Sequence, residues 1–141
     1  MTENRRKRNK AGIIWLFLML IWLTVIFSFS AKKADESTVM SHSVGKLIGN
    51  IVIPEYRSWP EDKQEQFAEK IDFPVRKCAH ASEYAVLGVL MLGTAYSFAE
   101  DQGKKNRLLC WCAGTAYAAT DEFHQLFVPG RSCQFRDVCI D

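Results

Sequence analysis

The feature that most limits how this chain can fold is Ala11 to Ala31, a run of 21 residues without a charged side chain, rich in Leu, Ile, Phe and Trp. About 20 apolar residues cross a bilayer core as a helix, which satisfies its own backbone hydrogen bonds inside hydrocarbon. Just ahead of it, Met1 to Lys10 carries five basic residues and one acid. Basic residues stay on the cytoplasmic side, so the N-terminus is expected inside the cell. The competing reading is a cleaved secretory signal, since Ser28-Phe29-Ser30-Ala31 has small residues where such a signal is cut. The apolar run exceeds the roughly 7–15 residues of a signal core, which favours a retained membrane helix.

The rest of the chain repeats this segregation of apolar from charged blocks. Residues 32–77 read as a polar connection. Within it Met40, Val44, Leu47, Ile48 and Ile51 follow the helical period, predicting an amphipathic helix over Ser37 to Ile53, ended by Pro54. Its apolar row is expected to pack on the helical bundle rather than lie on the membrane surface, and His42, off that row, to be solvated. Pro60 with Glu61 and Asp62 starts another helix, to about Ile71, mostly polar and expected to lie in water. Pro74 is then expected to open a new helix whose apolar part, Ala79 to Phe98, is long enough for a second span. After a short charged loop, Leu108 to Val128 is the third candidate span. Small residues such as Gly88, Gly93, Gly114 and Ala118 would let these helices approach closely. The expectation is one all-α domain over 1–141, a small integral membrane bundle with spans near 11–31, 79–98 and 108–128.

Charge sets the topology and excludes one class of partner. A net charge of +2, with no basic stripe interleaved with aromatics, argues against nucleic acid. Lys104, Lys105 and Arg107 fall on the same side as the basic N-terminus when three spans are drawn. The start of the second span and the end of the third then meet at the outer leaflet. Of the five cysteines, Cys110 and Cys112 read as small hydrophobes, and Cys133 with Cys139 as a possible disulfide pair in an oxidising compartment.

What meets there is a polar cluster. Asp121, His124 and Gln125 stand at i, i+3 and i+4 and share a helix face, with Glu122 beside them. Val128-Pro129-Gly130-Arg131 stops that helix, and Asp137 follows. On the second span Lys77, His80 and Tyr84 share a face, and Glu83 lies one turn from His80. Ionisable groups beside membrane-spanning sequence are costly and mark functional sites by default. Lys77, Arg131 or a protonated His80 are the expected partners of Asp121. Three roles are open: a polar network pinning the helices, a pocket for a lipid headgroup, or a metal or catalytic centre. His80/Glu83 and Asp121/His124 have the spacing of bundle metal ligands. No HExxH and no nucleophile beside a base accompanies them, so neither metal nor cofactor is expected.

The segments Arg76-Lys77-Cys78-Ala79-His80, Glu83-Tyr84, Asp121-Glu122-Phe123-His124-Gln125, Pro129-Gly130-Arg131-Ser132 and Arg136-Asp137 resemble the VanZ-like membrane protein family. The family pattern is matched by Lys77, His80, Tyr84, Asp121, Glu122, Gln125, Gly130, Arg131 and Asp137, and the resemblance runs from about Ile13 to the end. It implies a small bacterial helical membrane protein of the cell envelope whose namesake is associated with resistance to teicoplanin, without supplying a reaction. Members usually continue into a Gly-rich final membrane helix where this chain stops, so a truncated product lacking a fourth span is expected. Two functions are open. One is a non-enzymatic envelope protein acting on glycopeptide or lipid access at the outer leaflet. The other is a membrane-embedded enzyme acting on a lipid-linked substrate through the His/Asp/Glu cluster. Membrane lipid, a lipid-linked cell-wall precursor or a glycopeptide are the partners each would require.

Overall fold

The computed structural model describes residues 2–99 and 103–130. Every regular element among them is helical: α1 (Thr2–Ser30), α2 (Ala34–Val52), a single 3-10 turn (Tyr56–Ser58), α3 (Glu61–Phe98) and α4 (Lys104–Gln125). Among the described residues α1 is the one helix long and apolar enough, by length and composition, to cross a membrane. The apolar parts of α3 and α4 are interrupted by His80, Ser82 and Glu83, and by Asp121 and Glu122.

Helix α3 is the spine, packing against each of the other three helices. Its C-terminal half lies antiparallel to α1, with Gly12 beside Phe98 and Gly93 beside the Trp15 ring. A Cβ added at Gly93 would stand 2.5 Å from that ring, so glycine is what lets the two backbones come together. The Trp22 indole N–H donates to the Glu83 carbonyl at 2.9 Å, and the Tyr117 hydroxyl on α4 donates to the Leu23 carbonyl at 3.0 Å. Between these ties sits the core where α1, α3 and α4 meet: Ile26, Tyr84, Leu87 and Ala118.

Three expectations are corrected here. Pro74 does not open a helix; it lies inside α3, which runs unbroken from Glu61. Proline removes one helical hydrogen bond, and the docking of α2 along this part of α3 supplies contacts a lone helix would lack. For the same reason the segment before Pro74 is not simply in water: Ala68 is completely buried, against Gly45 of α2. Finally, α2 does not pack through its apolar row. Its buried side is Ser41, Gly45 and Gly49, whose small size admits Ala68, Ile71 and the Tyr56 ring. Met40, Val44, Leu47 and Ile51 are left exposed, Ile51 to 76%.

The ends of the helices follow the local chemistry. Ile53 is extended, as a residue before proline must be, and stops α2. After Gln125 the chain tightens into three i to i+3 hydrogen bonds, from the amides of Leu126, Phe127 and Val128. Gly130 then takes φ +79, which glycine adopts at little cost. This turn is fastened to the start of α2 by a hydrogen bond from the Ala34 amide to the Pro129 carbonyl, 3.4 Å.

Candidate functional site

The end of α1, the apolar row of α2 and the middle of α3 enclose an open cleft of about 630 Å³. Asp121 of α4 and His80 and Glu83 of α3 reach it, joined by Ser30 of α1, Ser41 of α2 and Arg76 of α3. His80 Nδ1 lies 3.9 Å from Glu83 Oε2, and each side chain is one-fifth exposed. Asp121 is 6% exposed; its Oδ2 accepts from the Gln125 amide at 3.4 Å, the i, i+4 partner on the same face. Its Oδ1 is fully buried and meets no hydrogen-bond donor among the described residues, and the same holds for the Ser30 hydroxyl. Four helices thus bring polar groups to one place, His80, Glu83 and Asp121 among them, with Gln125 outside the lining but bonded to Asp121.

Other candidates go elsewhere. His124 leans on the Phe27 ring of α1, centroids 4.8 Å apart, and is not part of the cleft lining. The Lys77 ammonium lies over the Phe73 ring at 5.4 Å. Tyr84 is in the hydrophobic core, 6.4 Å from the Tyr117 ring. Glu122 is buried, but outside the cleft lining. Arg131 and Asp137, like Cys133 and Cys139, lie outside the described residues. The two carboxylate-histidine pairs therefore do not face each other. No group of three or more His, Cys, Asp and Glu side chains among the described residues is arranged to hold a metal ion.

Sequence reasoning missed the polar seam that holds α2 beside this cleft. The Arg76 guanidinium grips Asp72 with Nε to Oδ1 at 3.1 Å and Nη2 to Oδ2 at 2.6 Å, and also reaches the Thr38 hydroxyl at 3.1 Å. Ser41 donates to the same Asp72 carboxylate. Burial pushes the Asp72 carboxyl up, but the Arg76 and Ser41 hydrogen bonds outweigh it and hold it below the ordinary range. Further out, Glu65 takes Lys46 at 2.5 Å and His42 Nδ1 at 2.6 Å, which lower the carboxyl, while Glu65 raises Lys46 in turn. His42 is thus not a solvated residue; its side chain is 18% exposed, packed between Glu65 and, at 4.0 Å, Asp72. An acid four residues before a base marks Asp72 and Arg76 in sequence. Nothing local marks Ser41, His42 or Glu65, whose partners lie across the α2–α3 seam.

Comparison with curated proteins and with solved structures yields no match. Among family models, the one described as VanZ/LLP1 matches residues 15–141, taking in α1 from Trp15 onward, α2 to α4 and the residues of the cleft. The chain therefore belongs to the VanZ/LLP1 family.

Proposed function

We propose that this protein contributes to glycopeptide (teicoplanin) resistance by binding the polar headgroup of an envelope amphiphile in the cleft, at the outer leaflet of the cytoplasmic membrane. Three spans are drawn from α1, the part of α3 from Ala79 to Phe98, and α4 with its terminal turn, and the N-terminus is cytoplasmic. The observation that carries this reading is the meeting of His80, Glu83 and Asp121, from two helices, at the level where the apolar α1 ends at Ser30. At ~1.5 Å per residue, Asp121 lies roughly 20 Å along α4 from Leu108, inside a ~30 Å hydrocarbon core. A carboxylate at that depth is costly unless it serves a ligand or a partner. Lipid-linked cell-wall precursors and glycopeptides are amphiphiles that meet the outer leaflet, and either would present the headgroup this reading requires.

The test is expression of the wild-type chain and of Asp121→Asn in a teicoplanin-susceptible bacterium, with membrane protein levels measured by immunoblot. Raised resistance with the wild type, lost in the variant at equal protein level, is expected. A variant as protective as the wild type would end the assignment of Asp121, and no protection by either would end the resistance role.

A further inference from the structure

We propose that the cleft takes the hydrocarbon chain of its ligand as well as the headgroup, and that this headgroup is a hydrogen-bond donor (a hydroxyl or an ammonium) rather than an anion. This rests on the headgroup reading above and specifies its ligand class. The first observation is the wall. Met40, Val44 and Ile48 of α2, Ile71 and Val75 of α3 and Ile26 of α1 line the cleft. These α2 residues belong to the row that an amphipathic helix ordinarily buries, yet Met40 and Val44 are exposed to 39% and 44%. The small side of α2 takes the packing on α3 instead, which keeps the apolar row at the edge of the cleft. Its continuation, Leu47 and Ile51, is also exposed, so an apolar surface leads from the cleft along α2. A slot of about 630 Å³ with such walls suits a chain entering sideways from lipid.

The second observation is the floor. Asp121 Oδ1 and the Ser30 hydroxyl are buried, with the residues 6% and 3% exposed, and neither has a hydrogen-bond partner among the described residues. A buried oxygen left without a donor is costly, and a ligand donor would relieve it. A phosphate or carboxylate beside Asp121 would meet Asp121 and Glu83 as like charges; of the basic side chains lining the cleft, Arg76 is committed to Asp72, and the Lys32 ammonium lies over the Phe29 ring at 5.1 Å and against the Met40 sulfur.

The experiment is photo-crosslinking of the full chain in lipid nanodiscs, with sites read by mass spectrometry. The two probes carry the same diazirine-bearing acyl chain, on diacylglycerol (a hydroxyl headgroup) or on phosphatidic acid (an anion). Diacylglycerol should label peptides containing Val44 and Val75 in preference to phosphatidic acid. Val44→Trp, at a half-exposed site that tolerates bulk, should block this labelling. Asp121→Asn should reduce it roughly tenfold, the loss of one charge-assisted hydrogen bond. Ser30→Ala provides the second floor variant should the first fold poorly. Loss in the floor variants but not in Val44→Trp would keep the headgroup site and overturn the chain slot. Loss in Val44→Trp alone would overturn the role of the floor, and with it the headgroup reading. Equal labelling by both probes would overturn the donor preference. Labelling confined to the outward residues of α1, such as Phe17 and Ile21, would mean annular lipid only and overturn the whole proposal.

Discussion

If Asp121 serves a ligand, replacing it with asparagine should leave the fold intact or make it more stable. The two side chains are nearly isosteric, so packing is kept. Asp121 is 6% exposed, its one hydrogen bond among the described residues is the 3.4 Å contact from Gln125, and Oδ1 has none. A buried polar atom without a partner costs about 1–3 kcal/mol, and more when it bears charge. Asparagine removes the charge and can still accept from Gln125, so relief on the order of 1 kcal/mol is expected. A structural tether behaves the opposite way: removing one member of a buried charge pair costs about 3–5 kcal/mol. Reversible unfolding in mixed micelles, followed by tryptophan fluorescence, separates these by sign. Trp22 sits at the same level as the site and reports on it through its bond to the Glu83 carbonyl. A loss of 3 kcal/mol or more in Asp121→Asn would refute the reasoning and make Asp121 a strut of the bundle.

Two glycines on one helix should respond oppositely. Gly93→Leu would drive a side chain into the Trp15 ring and cost about 1–3 kcal/mol or more, whereas Gly88→Ala meets nothing within 4 Å and should stabilise by about 0.5–1 kcal/mol, both read by the same unfolding assay. The α2–α3 seam should loosen in acid: Asp72 is held below its usual 3.8, so its contribution is complete above that value and is lost as pH falls through the lower, folded one. The contribution of Glu65, held down by Lys46 and His42 across the same seam, is lost in the same direction. Spin labels at Ser43 and Glu69 should report a wider α2–α3 distance distribution in acid in the native chain, and Asp72→Asn combined with Glu65→Gln should remove the transition. For topology, an impermeant thiol reagent applied to intact cells should reach a cysteine introduced at Glu61 but not one at Lys104, in a cysteine-free background. The reverse pattern would put the cleft on the cytoplasmic side.

Much of this protein is written in runs and spacings. The uncharged stretch from Ala11 to Ala31 marks α1, the one helix among those described that is long and apolar enough to cross a membrane. Periodicity and proline placement mark α2 and its end near Pro54, whereas α4 closes at Gln125, before the Val128-Pro129-Gly130 motif expected to stop it, and Gly130 serves the turn that follows, at φ +79. The i, i+4 relation of Asp121 and Gln125 survives as a hydrogen bond because it is set within one helix. Tertiary packing decided the rest. Which side of α2 is buried depended on the fit of Gly45 and Gly49 to Ala68 and Tyr56, a match of sizes that outweighed the apolar row. Pro74 stayed inside α3 alongside the docked α2. His124 turned to Phe27 while His80 turned to the cleft, since rotation about each helix axis is set by neighbours far away in sequence. Contacts across tens of residues, such as His42 to Glu65 or Trp22 to Glu83, have no local signature, and they determine which polar groups share the cleft.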